Sequence, residues 1–135
     1  MKNKLKKNSH QAIIEHVNLS ANDPDKLAEQ LCQLFDWQVR WSGASMDDGY
    51  TVHVGGSNSY LAIYKNNELV ENRQRGHSTI HNLNHIGVVV DDLKILRQRA
   101  TELGLSPNSD SDYGPCKSFY CNLIDGLELE VIAYS

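Results

Sequence analysis

Three features predict an α+β protein of two βαβββ modules whose curved mixed sheets form one cleft. They are an internal repeat, a switch inside each copy between period-two and helical apolar spacing, and a length of 135 residues that suits one domain. The repeat emerges when Ile14–Asp23 is set over Leu83–Asp92, an offset of 69. His16 then falls on His85, Val17 and Leu19 fall on Ile86 and Val88, and Asp23 falls on Asp92. Leu27 meets Leu96 and Leu34 meets Leu103, the apolar positions of a following helix in each copy. At an offset of 70, Gly56–Tyr64 lies over Gly126–Tyr134, and tyrosine closes both segments.

The first strand spans Ala12 to Leu19, where Val17 and Leu19 alternate with His16 and Asn18. Asp23 is the expected N-cap of a helix and Pro24 its first residue, because proline has no N–H to lose there. Leu27, Leu31 and Leu34 form the stripe that lies against a sheet, and the helix ends near Asp36. Trp37–Trp41, Gly49–Val54 and Ser59–Tyr64 are the remaining strands, separated by glycine- and serine-rich turns. In the second copy a helix runs from Leu93 to Leu103 and Gly104 ends it. A short strand near Leu105, then Lys117–Leu123 and Leu127–Tyr134, complete the module, with Asp125-Gly126 as the hairpin turn. The chain thus divides into a flexible basic tail (1–11), a first module (12–64), a polar linker (65–82) and a second module (83–135).

Composition narrows the function classes. Net charge is −4, and four lysines among the first seven residues leave the rest of the chain near −8, so no basic face remains to neutralise nucleic-acid phosphates. No apolar run approaches the length of a membrane span, and the lysine-rich start lacks the apolar stretch of a signal peptide. Cys32, Cys116 and Cys121 are odd in number and fit no CxxC spacing, which is read as reduced thiols in a cytoplasmic protein. The expected partner is a small molecule, with no nucleic acid and no membrane.

If Val17, Leu19, Ile86 and Val88 face the helices, period-two geometry sends His16 and His85 to the opposite, concave face. Leu127, Leu129 and Val131 place Glu128 and Glu130 on that face too. Two imidazoles and a carboxylate suit one divalent ion, Fe, Mn, Zn, Ni or Co, with coordination positions left open for substrate. His16, His85 and Glu130 are therefore the candidate metal ligands. Trp41, Tyr50, Tyr60 and Glu128 are candidate substrate-cleft residues, and Trp37 offers further stacking surface. His53 lies on a strand whose facing stays open between cleft and solvent. His77, His81 and His85 recur every four residues, but His85 opens a strand and breaks that helical register.

This pattern, from Ala12 to Tyr134, resembles the vicinal oxygen chelate superfamily of glyoxalases, extradiol dioxygenases, fosfomycin-resistance proteins and metal-free bleomycin-resistance proteins. The resemblance implies the glyoxalase-like fold and maps four ligand positions to His16, Tyr60, His85 and Glu130. Tyrosine at the second position departs from glyoxalase I, while a His, His, Glu set resembles that of dioxygenases and fosfomycin-type transferases. Phe119-Tyr120 followed by Glu130 resembles the extradiol signature, although Leu123-Ile124 replaces its acidic-proline pair and its upstream histidine is missing. The resemblance therefore implies Glu130 and Tyr120 as catalytic candidates, a substrate that chelates the metal through adjacent oxygens, and a homodimer. The activity expected is that of a metal-dependent lyase, isomerase or dioxygenase. The alternative is a non-catalytic small-molecule binder of the bleomycin-resistance type.

Overall fold

The computed structural model describes residues 12–71 and 77–135, so the basic tail and linker residues Arg73, Gln74, Arg75 and Gly76 lie outside the described residues. The first module consists of β1 (His16–Ser20), α1 (Pro24–Phe35), β2 (Gln38–Ser45), β3 (Gly49–Gly55) and β4 (Tyr60–Lys65). The second consists of β5 (Ile86–Val89), α2 (Leu93–Glu102), β6 (Asn108–Asp112), β7 (Cys116–Asn122) and β8 (Glu128–Tyr134). Each makes one mixed four-stranded sheet, ordered β1-β4-β3-β2 and β5-β8-β7-β6. The first strand of each pairs in parallel with the last, so the fold class is the α+β pair of βαβββ units expected. Among the described residues no helix is long and apolar enough to cross a membrane.

Local chemistry sets the helix ends. The Asp23 carboxylate accepts from the Lys26 backbone N–H at 3.1 Å, with Pro24 in the first turn, and Asp92 accepts from Ile95 N–H at 3.1 Å. Helix α1 stops where Asp36 turns left-handed (φ 57) and its N–H returns to the Cys32 carbonyl. After α2, Gly104 takes φ 79 and Leu105 N–H bonds the Ala100 carbonyl at 2.9 Å. Leu105 is thus a buried helix-end residue, and the edge strand expected there forms later, at Asn108–Asp112. That polar segment has no apolar alternation and is held by pairing with β7 and by an ion pair between its Asp110 and Arg97 of α2. Likewise β2 continues through Gly43 and Ala44, expected as loop, because their backbones pair with Thr51 and Tyr50.

Ladder registers correct the repeat alignment. His16 pairs with Tyr60 and Val17 with Leu61, whereas Ile86 pairs with Leu129 and Gly87 with Glu130. Since Val17 corresponds to Ile86, Leu61 corresponds to Leu129, an offset of 68 for the last strands instead of 70. Glu130 therefore corresponds to Ala62, and Tyr60 corresponds to Glu128. The next ladder agrees: His53 pairs with Ala62 as Tyr120 pairs with Glu130. The tyrosines that close the two segments carry no register, because turns of different length precede them.

One core runs through both modules. Leu27, Leu31 and Leu34 of α1 pack on Val52, Val54 and Ile63, and the same cluster includes Leu96, Ala100, Phe119, Leu129 and Val131. Each fully buried aliphatic side chain here contributes about 1.5–3 kcal/mol relative to exposure. The modules are joined through α1 and α2. Polar ties flank that contact: the Arg99 guanidinium donates to the Leu34 carbonyl at 2.8 Å and to Asp36 at 3.3 Å, and Gln30 accepts from Ile124 N–H at 2.9 Å. Helix-covered faces thus share the core, and among the described residues the strands of the two modules form two separate sheets.

All three cysteines are free. Burial pushes the Cys121 thiol up to about 11, which leaves almost no thiolate at neutral pH. Iodoacetamide at pH 8 is expected to modify half-buried Cys116 well before Cys121, as peptide mapping of the native protein would read; equal rates would contradict the burial of β7.

Candidate metal and substrate site

The second module presents a compact polar group on the face of its sheet away from α2. In β7, Phe119 and Cys121 enter the core, so Tyr120 emerges on the other side; in β8, Leu129 and Val131 enter it, so Glu128 and Glu130 emerge. His85, immediately before β5, extends its imidazole toward both carboxylates. Its Nε2 lies 3.2 Å from Glu130 Oε1 and its Nδ1 3.7 Å from Glu128 Oε1. The second distance is too long for a hydrogen bond, and Nδ1 is a buried nitrogen without a hydrogen-bond partner. The Glu130 side chain is 15% exposed, and the residue opposite it, Gly87, has open space where a Cβ would stand. Tyr120 meets His85 edge-on at 5.4 Å. Desolvation, then the charge of Glu130, holds the Tyr120 hydroxyl above its ordinary range, so it is protonated at neutral pH.

The matching face of the first module is aromatic. His16 stacks on Tyr60 at 5.0 Å, Tyr60 on His53 at 4.6 Å, and His53 on Trp41 at 5.2 Å. Glu15 accepts from the Tyr60 hydroxyl at 3.2 Å and bonds His16 Nδ1 at 2.9 Å, which lowers the Glu15 carboxyl. Desolvation lowers His53, so its imidazole is neutral at pH 7. His53, whose facing the alternation left open, lines this face together with Tyr60 and Trp41.

The structure brings together some of the expected residues and separates others. His85, Glu130, Tyr120 and Glu128 form one group, while His16 belongs to the other module's face. Among the described residues no three His, Cys, Asp or Glu side chains converge as a metal-holding set within the chain. Tyr50, expected in the cleft, is corrected to the helix side: it shares the parity of core residues Val52 and Val54, and its hydroxyl donates to Asp25 of α1 at 2.6 Å. Trp37 likewise packs on Phe35 at 4.9 Å, away from the aromatic face. His77 and His81 lie in turns, and with Asn22, Asp125 and Glu128 they help line a cavity of about 600 Å³ beside the end of β1.

His85 and Glu130 fit two positions of one divalent ion. Ligand atoms about 2.1 Å from a metal and at right angles to one another stand about 3 Å apart, close to the 3.2 Å seen between Nε2 and Oε1. On the other side of the ring, His85 Nδ1 lies 3.7 Å from Glu128 Oε1, beyond hydrogen-bond reach. Arg40, which the alternation did not single out, also lies on the first module's face, its guanidinium 4.5 Å from the Tyr60 ring centroid.

Solved structures share this architecture. A glyoxylase/bleomycin resistance protein/dioxygenase domain from Frankia sp. EAN1pec superposes with a TM-score of 0.75 at 16% identity, covering 93% of this chain and 99% of that one. The glyoxalase family protein from Enterococcus faecalis gives 0.73 at 15% identity, with 89% and 96% covered. A variant of the fosfomycin resistance protein FosX from Listeria monocytogenes, complexed with Mn(II) and 1S,2S-dihydroxypropylphosphonic acid, gives 0.68 at 17%, with 90% and 91% covered. The fold is therefore that of the glyoxalase and vicinal oxygen chelate proteins. No family model matches the chain, and no curated protein matches it in sequence.

Proposed function

We propose that the chain is a divalent-metal enzyme of the vicinal oxygen chelate type, working as a homodimer in the cytoplasm. His16 of one copy and His85 with Glu130 of the second copy would hold the ion. The supporting observation is that His85 and Glu130 stand 3.2 Å apart on one open face, while His16, the repeat counterpart of His85, stands on another. Joining of the modules through α1 and α2 leaves both faces free to meet those of a second copy. FosX, which has this fold, binds Mn(II), and that supports a divalent ion here.

When bound, the ion supplies Lewis-acid stabilisation of negative charge developing on adjacent substrate oxygens. The chain's own groups do the rest. Tyr120, protonated at neutral pH, donates a hydrogen bond or proton from its hydroxyl to a substrate oxygen beside Glu130. His85 presents its Nε2 beside Glu130 at 3.2 Å, so both would face the ion, while Glu128 adds a second carboxylate 3.7 Å from the other ring nitrogen. Lyase, isomerase and dioxygenase reactions all fit this arrangement. The aromatic face also fits a second reading, a ligand-sequestering protein of the bleomycin-resistance type.

Metal analysis separates the two. After purification without chelator and reconstitution with Mn(II), about one ion per chain is expected. His16→Ala, His85→Ala and Glu130→Ala should each weaken binding at least about tenfold. Absence of stoichiometric metal in the parent protein, with no effect of the three changes, would leave the binder reading.

A further inference from the structure

The first module's face carries a feature that metal binding does not use. In the β2–β3 ladder Val39 pairs with Val54 and Trp41 with His53, so Arg40 is an extra residue inserted into β2 as a bulge. Regular alternation would put Val39 and Trp41 on one face. The inserted residue instead lets Val39 pair with core residue Val54 while both Arg40 and Trp41 reach the open face. Trp41 lies along its strand over Gly43, where a Cβ would come within 2.9 Å of the indole, and it is 48% exposed. The Arg40 guanidinium lies over Tyr60 at 4.5 Å. Among the described residues no carboxylate pairs with it. Glu15, a carboxylate on this face, is hydrogen-bonded by His16 and Tyr60 and feels the Arg40 charge only at longer range, without forming an ion pair with it.

We infer that this face is a subsite for a planar, conjugated carboxylate. The Tyr60 ring holds the guanidinium carbon at 4.5 Å, and its N–H groups, which have no hydrogen-bond partner among the described residues, stay available for the two parallel hydrogen bonds a carboxylate accepts. The neighbouring His53 and Trp41 rings extend the same surface, giving the attached flat group a stacking partner. A saturated anion would forgo the rings, and a neutral aromatic would forgo Arg40. The inference deepens the enzyme reading by naming its substrate class: a flat carboxylic acid whose adjacent oxygens reach the metal face of the second copy.

The test uses metal-free full-length protein, so its failure and the failure of metal binding are separate results. Benzoate, benzamide and acetate are titrated while the amide and ring resonances of Trp41, His53 and Tyr60 are followed by NMR. Benzoate should bind at least about tenfold more tightly than either control. Arg40→Gln should bring benzoate down to the level of benzamide, and Trp41→Ala should bring it toward acetate. Arg40→Lys, which keeps the charge and loses the planar fork, should fall between parent and Arg40→Gln; unchanged thermal melting of each variant excludes misfolding. Equal affinity for benzoate and benzamide, or benzoate binding that survives Arg40→Gln, would overturn the inference.

Discussion

Mixing His16→Ala protein with His85→Ala protein, at a metal concentration too low for either weakened protein to fill its sites, is expected to restore about a quarter of the parent's metal sites once subunits exchange. In a dimer whose sites each join the first module of one copy to the second module of the other, a mixed pair contains one doubly damaged site and one intact site. Statistical exchange makes about half of all dimers mixed, and one site in two of those is whole. If each site were built inside one chain, every site in the mixture would lack a histidine and nothing would return. Size-exclusion chromatography with in-line metal detection reads both the dimer and its metal. The expectation follows from geometry: the modules meet through α1 and α2, and His85 and Glu130 lie together while His16 does not join them.

That split was not legible in the sequence. Apolar stripes on Leu27, Leu31 and Leu34 and on Leu96 and Ala100 say that each helix buries one face, but not that the two helices also bury each other. The parity of β8 was legible, because core residues Leu129 and Val131 alternate cleanly with Glu128 and Glu130. Tyr50 was misplaced although its strand start at Gly49 was legible, because the facing of that strand was left open: once Val52 and Val54 are core residues, Tyr50 must follow them to the helix side. Arg40 escaped for a different reason. A bulge inserts one residue without a sequence signature of its own, and only the ladder with His53 reveals that Arg40 and Trp41 share a face. The counterpart of Glu130 escaped likewise, since closing tyrosines suggested Tyr60 and the hydrogen-bond register selects Ala62.

Phe119→Ala is expected to cost about 3–5 kcal/mol and to lower the melting temperature by about 10–20 °C. Phe119 is the largest fully buried side chain, at 0% exposure, in the middle strand pair of the second sheet. Its ring also lies 5.1 Å from the Arg97 guanidinium, so truncation removes a stacking partner as well as core volume. The first-module residue at the matching ladder position is Val52, and Val52→Ala should cost less because a smaller group is deleted. Calorimetry of Phe119→Ala should still show a single transition, because the cluster around Phe119 continues through Leu96 and Ala100 to Leu31 and Leu34. Two resolved transitions would mean that the helix contact does not couple the modules. Below its melting point the variant should retain metal affinity within about threefold, since Tyr120 and Glu130 are held by backbone ladder bonds on the opposite face of the strand. Loss of both stability and metal at low temperature would show instead that the ring, and not the ladder, positions Tyr120 against His85.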